Sequence, residues 1–284
     1  MCGRYASSRK PEDLVEEFEV VRADVPAPLE ADFNVAPTKE VYAVFDRVPR
    51  EAPAETAAER RLAVVRWGLV PSWAKDTGIG SRLINARVET LADKPAFRRA
   101  FAKRRCLLPA DGYFEWYPTE QVNARGKPVK QPFFIRPADH GVLAMAGLYE
   151  IWRNEAVPRD HDDAFVWSAC VITTSAEDSL GQIHDRMPML VEPQGYDAWL
   201  DASVTEPGDF SDVLIPAAPG RLQAYPVSTM VNKVTNNGAE LIEPLRLEGD
   251  RVPTALPGNL SAAQHVPSAA RHVKETPAEQ PGLF

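Results

Sequence analysis

Short segments rich in β-branched and aromatic residues recur along this chain, and they restrict the folds that it can adopt. This composition is typical of β-strands and predicts strands at residues 41–45, 62–67, 105–109, 113–117, 132–136, 142–150, 165–174, 187–191 and 222–227. The helices predicted between them are short: one beginning at Pro11, a basic amphipathic helix at 94–105, and two more at 177–182 and 195–201. We therefore expect an α+β fold with a single mixed, barrel-like β-sheet core and short peripheral helices.

The composition of the chain changes near residue 247. From there on prolines alternate with Ala, Ser, Gln and Glu, and large apolar residues are scarce. A segment of this kind cannot bury enough apolar surface to offset the entropy of ordering it. The sequence thus predicts one folded domain at residues 2–246 and a disordered C-terminal tail at residues 247–284.

Cysteine usage and hydropathy exclude several classes of protein. No apolar run reaches about 18 residues, so no membrane span is predicted, and the absence of a secretory signal favours a cytoplasmic location. Cys2, Cys106 and Cys170 are far apart and form no CxxC pair, which argues against a disulfide framework or a structural zinc site. We expect Cys106 and Cys170 to be buried thiols, and we expect neither a metal nor a cofactor.

The charge of the chain is unevenly distributed. The formal net charge is -8, yet residues 60–105 contain twelve Lys and Arg against three Asp and Glu, a local balance of +9. A basic stretch in an acidic chain is typical of a surface that binds a polyanion. The distribution therefore favours a nucleic-acid partner.

The first four residues, Met1-Cys2-Gly3-Arg4, combine two nucleophiles at one position. Aminopeptidases normally remove a methionine that precedes a small residue, so we expect the mature chain to begin with Cys2. An α-amine with a pKa of about 7.7–8.0 would then lie beside a thiol with a pKa of about 8.5. An aldehyde can condense with such a pair to an imine and close to a five-membered thiazolidine.

Five further stretches mix glycine, proline and polar groups with aromatic residues, which core strands do not require. They occupy residues 34–37, 67–73, 83–90, 111–116 and 183–188. Together with the Met-Cys-Gly-Arg start, they resemble the SRAP (SOS response-associated peptidase) family of abasic-site processing proteins. The similarity runs from Met1 to about Pro244.

The resemblance implies a reaction with the aldehyde of a ring-opened abasic site in single-stranded DNA. The N-terminal Cys2 would form a thiazolidine that links protein to DNA and shields the lesion. Glu115 would act as the acid/base carboxylate, with its pKa raised by the neighbouring aromatics Phe114 and Trp116. His184 would exchange protons with the sugar hydroxyl, and Asn85 would hydrogen-bond the Cys2 amine or backbone.

The same resemblance implies a set of residues that bind DNA. The three arginines suit bidentate contacts with phosphates, while a proline and a tryptophan could wedge or stack beside the flanking bases. The full set is Arg4, Asn34, Pro37, Trp73, Arg87, Thr173 and Arg186.

The C-terminal end resembles the short peptides with which bacterial replication proteins bind the sliding clamp. Gln280, Leu283 and Phe284 carry this likeness, and a flexible tail could tether the domain beside a clamp. We expect a monomer associated with the nucleoid.

Three alternatives remain open from the sequence. Class II glutamine amidotransferases also begin Met-Cys-Gly, but their chains continue with apolar residues and an asparagine–glycine stretch that is not found here. A thiol peptidase could use Cys2, His184 and Asn85. A non-catalytic adaptor that binds single-stranded DNA and the clamp would leave Cys2 without a chemical role.

Overall fold

The computed structural model of the protein describes residues 2–49, 53, 56–176, 178–205, 210, 212–214, 217–218 and 220–245. Its strands are β1 Tyr5–Ser7, β2 Arg22–Asp24, β3 Asp32–Val35, β4 Glu40–Arg47, β5 Glu59–Trp67, β6 Asn85–Arg87, β7 Arg105–Ala110, β8 Gly112–Val122, β9 Pro128–Pro137, β10 Leu143–Arg153, β11 Phe165–Ser175, β12 Arg186–Pro188 and β13 Leu222–Pro226. The α-helices are α1 Pro11–Glu17, α2 Arg98–Lys103 and α3 Tyr196–Leu200.

A closed barrel of five strands forms the centre of the molecule. Antiparallel pairs join β11, β10, β7, β4 and β5 in that order, and a parallel pairing of β5 with β11 closes the ring through Ser168 with Arg66 and Ala169 with Trp67. Because one of the five pairings is parallel, the barrel is mixed. The predicted α+β fold with a mixed, barrel-like core is therefore confirmed.

A second sheet packs against one end of the barrel. It has the order β13-β9-β8-β1-β3, and all of its pairings are antiparallel. One face of this sheet, including Tyr5, Tyr113 and Phe133, shares a hydrophobic core with barrel residues such as Trp67 and Met145. The N-terminal segment therefore runs through the interior of the sheet, between β3 and β8.

A second hydrophobic core covers the outside of the barrel. Barrel residues such as Leu107 and Leu148 pack there against Phe101 of α2 and Trp199 of α3. None of the helices is longer than seven residues among those described. Short amphipathic helices of this kind owe their stability to packing rather than to intrinsic propensity. No helix in the described ranges is long and apolar enough to cross a membrane.

The basic helix predicted at residues 94–105 needs correction. The α-helix is limited to Arg98–Lys103, and Arg105 already belongs to β7. Arg105 is only 2% exposed, and its guanidinium donates to backbone carbonyls that include those of Phe101 and Trp199. Its charge therefore serves the packing of α2 and α3 against the barrel rather than a surface.

The basic stretch at residues 60–105 is also less positive at the surface than its composition suggests. Arg60 pairs with Asp46 and Asp197. Other acidic residues neutralise Arg61 and Arg104, namely Asp24, Glu59 and Glu150. A nucleic acid could thus contact only some of the basic residues that make up the local balance of +9.

Two other predictions for helices and strands need adjustment. The predicted helix at 177–182 is a 3₁₀-helix at Asp178–Gln182. The strand predicted at 187–191 is shorter, and beyond Pro188 only Leu190 makes an isolated bridge, with Met145. The predicted tail, with Gln280, Leu283 and Phe284, lies outside the described residues, so the clamp interaction stays a prediction.

Candidate active site at the N-terminus

Cys2 lies fully buried in the core shared by the barrel and the second sheet. The next strand, β1, fixes its position, because the Arg4 carbonyl accepts a hydrogen bond from Phe114 N at 2.9 Å and Tyr5 pairs with Tyr113. The Sγ atom lies 3.9 Å from that same Arg4 carbonyl oxygen. Burial raises the pKa of the Cys2 thiol well above its usual range, and the negative charge of Glu115 raises it further. The resting group is therefore a neutral thiol.

Asn85 connects Cys2 to the barrel. It begins β6, which pairs in parallel with β11 through Asn85 and Val171. Its Nδ2 donates to the Cys2 carbonyl oxygen at 2.7 Å, which is the type of contact expected from the sequence. Its Oδ1 is buried and has no hydrogen-bond partner among the described residues. The amide thus fixes the backbone of Cys2 through Nδ2, and its Oδ1 can accept one further hydrogen bond.

Glu115 lies in β8 and is 4% exposed. Burial raises its pKa to about 7, while the positive charges of the N-terminus and of Lys130 act in the opposite direction. The direction agrees with the expectation from the sequence, but the residues responsible differ. Because side chains alternate along a strand, Phe114 packs on the opposite face, in a separate cluster. The aromatic residue directly across from Glu115 is Phe133 of β9.

His184 follows the 3₁₀-helix at Asp178–Gln182 and is about one-third exposed. Its Nδ1 accepts a hydrogen bond from Arg186 N at 3.0 Å and also lies 3.0 Å from the Oδ1 atom of Asp185. Burial and the positive charge of the N-terminus lower the pKa of His184, against the opposing effect of Asp185. The imidazole is therefore neutral at pH 7.

The sequence motifs gave no role to two charged residues at this site, although Asp185 lies within the 183–188 stretch. Lys130 of β9 lowers the pKa of both Glu115 and His184, and Asp185 raises both. Lys130 lies far from either group along the chain, and only the pairing of β8 with β9 brings it close. The strands predicted at 113–117 and 132–136 were the one indication in the sequence that Lys130 would lie near Glu115, because together they form a hairpin.

Arg186 and Thr173 lie together at the ends of β12 and β11. The Nη2 of Arg186 donates to the Thr173 carbonyl oxygen at 2.6 Å, and the Thr173 side chain is fully buried. The same guanidinium forms a bidentate pair with Glu89 at 2.6 and 3.0 Å. This pair lowers the pKa of Glu89. A phosphate that binds Arg186 must therefore displace a carboxylate.

Arg4 and Asn34 form a second polar cluster beside the site. Arg4 Nη1 donates to Asn34 Oδ1 at 2.6 Å and to Val231 O at 3.0 Å, and its guanidinium lies 5.9 Å from the centre of the Trp116 ring. Asn34 is fully buried and donates to backbone carbonyls of the 231–236 segment. A side chain in that position orients Arg4 and the loop, and it reaches DNA only if the loop moves.

The remaining predicted DNA-binding residues lie on loops and strand ends. Trp73 is 59% exposed, and its loop is anchored where Trp152 Nε1 donates to Ala74 O at 2.7 Å. Arg87 is exposed at the end of β6, opposite Thr173 in the parallel pairing. Pro37 is half-buried.

A close contact between two glycines holds the base of the Trp73 loop. Gly68 has a φ of +128°, and a Cβ at this position would lie 2.5 Å from Gly80 O. A side chain at Gly68 would therefore push residue 80 away and alter how the loop presents Trp73.

The structure thus places the buried Cys2 and Glu115 close to the half-buried Asn85, and the same charges act on His184 and Glu115. Thr173 and Arg87 pair two residues beyond Val171 and Asn85, and Arg186 donates to Thr173. Within the described residues, no hydrogen bond or ring contact joins Trp73 or Pro37 to these groups. The described residues also contain no group of His, Cys, Asp and Glu side chains that could hold a metal ion.

Comparison with known structures supports the fold. A crystal structure of a protein from Bacteroides thetaiotaomicron matches with a TM-score of 0.68 at 22% identity, over 86% of this chain and all of that one. Another, of a protein from Bordetella bronchiseptica, matches with a TM-score of 0.60 at 26% identity, over 80% of this chain and all of that one.

Sequence comparison identifies the family. The family model for the SOS response associated peptidases (SRAP) matches residues 1–234. The abasic site processing protein YoaM of Bacillus subtilis is 33% identical over 243 residues, which cover 86% of this chain and 98% of YoaM. The abasic site processing protein YedK of Escherichia coli is 32% identical over 253 residues, 86% of this chain and 100% of YedK. The chain therefore belongs to the SRAP family.

Proposed function

We propose that this protein processes abasic sites in single-stranded DNA by forming a covalent thiazolidine crosslink through Cys2, after Met1 has been removed. The names of its relatives supply the substrate class. The observation that carries the proposal is the burial of Cys2 with its carbonyl bound by Asn85 and its thiol coupled to the charge of Glu115. A carboxylate with a pKa of about 7 beside a buried cysteine can accept and return protons, which a purely structural cysteine would not require.

The reaction takes place in two steps. The Cys2 amine adds to the aldehyde carbon of the ring-opened sugar, and loss of one water from the carbinolamine gives an imine. The Cys2 sulfur then adds to the imine carbon, and the thiol proton moves to the nitrogen. The product contains one new C–N and one new C–S bond, and no oxidant or reductant takes part.

Glu115 is suited to accept and return the protons of these steps. With a pKa of about 7, its carboxyl is partly ionised at neutral pH, so it can act as base towards the ammonium and as acid towards the carbinolamine oxygen. The buried thiol becomes a better nucleophile once the imine is protonated, because the adjacent positive charge lowers the pKa of the thiol.

His184 and Asn85 have different functions in this proposal. The neutral imidazole of His184 acts on the sugar hydroxyl during ring opening. Asn85 is a positioning residue, since its Nδ2 holds the Cys2 carbonyl and directs the chain end at the aldehyde. Arg4, Arg87 and Arg186 bind the flanking phosphates, with Arg186 exchanging Glu89 for phosphate.

A thiol peptidase fits the same residues less well. Such an enzyme needs a resting thiolate, which adjacent positive charge stabilises by lowering the pKa of the cysteine. Burial and the charge of Glu115 instead raise the pKa of Cys2. The environment therefore favours a neutral thiol that reacts with an already bound electrophile.

The test is a crosslinking assay with a single-stranded oligonucleotide that carries one abasic site. The purified protein is expected to give a heat-stable shifted band on a denaturing gel, and mass spectrometry is expected to show a chain that lacks Met1. Cys2→Ala is expected to abolish the stable band. A Cys2→Ala protein that crosslinks as stably as the wild type would contradict the thiazolidine.

Asn85→Asp and Asn85→Ala separate positioning from chemistry. Loss of the hydrogen bond to the Cys2 carbonyl is expected to slow crosslinking by about 10²-fold, while non-covalent binding of undamaged DNA stays within about twofold. Glutamine hydrolysis or casein cleavage without any crosslink would favour an amidotransferase or a peptidase instead.

A further inference from the structure

Strands β8 and β9 extend well beyond the sheet in which they begin. β1 pairs with β8 only at Gly112 and Tyr113, and β13 pairs with β9 only from Phe133 onwards. Beyond these points, residues 117–131 form a two-stranded ribbon without a further strand neighbour among the described residues, and residues 120–130 are all exposed. An isolated hairpin is marginally stable in water, so a ribbon that protrudes this far calls for a functional explanation.

The edges of this ribbon are unsuited to pairing with another protein strand. Pro118 and Pro128 lack the N–H that an added strand would require. Lys127 and Lys130 place charges along the same edges. Prolines and lysines in these positions are devices by which sheets avoid edge-to-edge association. A partner that binds by strand addition is therefore disfavoured.

The charge of the ribbon is positive and not neutralised. Arg125, Lys127 and Lys130 are opposed by one acid, Glu120. No ion pair formed by the described residues involves any of these three cations, whereas Arg61 near the start of β5 pairs with two carboxylates. The ribbon thus presents three cations within six residues: Arg125 in the turn that joins the strands, Lys127 just after the turn, and Lys130 in β9.

The ribbon is attached next to the proposed active site. Glu115 lies two residues before Tyr117 in the same strand, and Gln131 Nε2 anchors the other strand by donating to Val227 O at 2.8 Å. The charge of Lys130 acts on both Glu115 and His184, since it lowers the pKa of each. A strand of DNA that leaves the site on this side meets the ribbon first.

We propose that the ribbon at residues 117–131 binds the phosphate backbone of single-stranded DNA next to the abasic site, through Arg125, Lys127 and Lys130. This inference rests on the proposed function in taking DNA as the partner. Phosphates match the cations at the tip of the ribbon in sign, and these cations form no ion pair within the described residues. The exposed side chains of Val122 and Val129 add apolar contact for unstacked bases.

The test measures non-covalent affinity for an undamaged single-stranded oligonucleotide, by fluorescence anisotropy in a Cys2→Ala background. The ribbon variant carries Arg125→Gln, Lys127→Gln and Lys130→Gln. The matched control carries Arg98→Gln, Arg99→Gln and Lys103→Gln, which remove three exposed charges from α2.

The ribbon variant is expected to lose at least about tenfold in affinity at low salt. The slope of log K against log salt is expected to fall by about 2, because each phosphate contact with a single strand contributes about 0.7. The α2 variant is expected to lose less than about threefold. Equal losses of affinity in the two variants would show that net charge alone causes the effect, and would overturn the proposal. A loss confined to duplex DNA would also overturn it, since the partner would then be a different one.

Crosslinking with the abasic oligonucleotide separates failure of the inference from failure of the proposed function. In the wild-type Cys2 background, a variant with only Arg125→Gln and Lys127→Gln, which keeps Lys130 and its effect on Glu115, is expected to need more DNA but to crosslink at the same maximal rate. A ribbon-dependent affinity without any crosslink would remove the proposed reaction and leave the ribbon as a binding surface. If the ribbon variant keeps normal affinity and crosslinks normally, the proposal that the ribbon binds DNA is wrong, while the proposed function stands. Equal urea midpoints would show that all variants are folded.

Discussion

The two ends of the barrel contain groups of opposite physical character. At the end away from Cys2, Phe45, Tyr149 and Trp167 stack on one another at 4.6–5.8 Å, and Arg47 covers the Trp167 ring at 4.9 Å. About 13 Å further along β11, where Val171 pairs with Asn85, buried polar groups replace the aromatic stack. They include an amide oxygen without a partner among the described residues and a carboxyl with a raised pKa.

The polar groups at the two ends of the barrel differ in whether they have partners. A cleft of about 750 Å³ opens beside the aromatic stack, but its Arg61 is already paired with Asp24 and Glu59. At the Cys2 end, a carboxyl is buried where its charged form is disfavoured. If the proposed function holds, the aromatic end contributes stability, whereas the Cys2 end gives up stability for reactivity.

Phe45→Ala provides the largest test of this contrast. Phe45 is 1% exposed and contacts both other aromatic residues of the stack. Removing a buried phenyl ring is expected to lower the free energy of unfolding by about 3–5 kcal/mol, measured by urea denaturation, while the folded fraction crosslinks at the wild-type rate. Phe45→Leu, the control, is expected to lose less. Loss of crosslinking in folded Phe45→Ala would show that the two ends are not independent.

Glu115→Gln is expected to raise stability near pH 7, in contrast to the loss expected for Phe45→Ala. The folded pKa of about 7 lies above the ordinary 4.5, so between these values the folded protein retains a proton that the unfolded chain has lost. Stability therefore falls as the pH rises from about 4.5 to 7, by about 3 kcal/mol in all. Urea titrations at several pH values should show this slope in the wild type and lose it in Glu115→Gln. The same variant is expected to crosslink at least about 10²-fold more slowly. A wild-type stability that rises over this pH range would contradict the assignment.

Glu89→Gln is expected to give the smallest effect. The neutral amide competes less well for Arg186, so the affinity of the Cys2→Ala protein for single-stranded DNA is expected to rise about threefold. Stability is expected to change by less than about 1 kcal/mol, because Glu89 is about half exposed. Glu40→Gln is the matched control, since Glu40 is exposed and forms no ion pair within the described ranges. An equal gain in both variants would show that net charge alone is responsible.

The long strands and β13 were predictable, whereas four of the shortest strands were not. β4, β5 and β7 to β11 are long enough for β-branched and aromatic residues to give a clear pattern. β1, β2, β3 and β6 have only three or four residues, and they exist because distant strands pair with them. The closure of the barrel by β5 and β11 likewise joins segments about one hundred residues apart. No local pattern encodes such a pairing.

The site shows the same division. Motifs that resemble a family predicted Cys2, Asn85, Glu115 and His184, and the structure brings these residues close together. No local pattern indicated which residues bury Glu115, because Phe133 lies opposite it only across the hairpin. Nor did it indicate that Glu89 already binds Arg186, since the two lie almost one hundred residues apart and meet through β6 and β11.

The position of β1 between β3 and β8 has a consequence for biosynthesis. Cys2 cannot become buried until β8 has been made and has left the ribosome, which at about 5–20 residues per second takes on the order of ten seconds. Under the proposed function, methionine would be removed during that interval. Once β8 docks, Cys2 is buried, so we expect the methionine to be removed before this sheet folds.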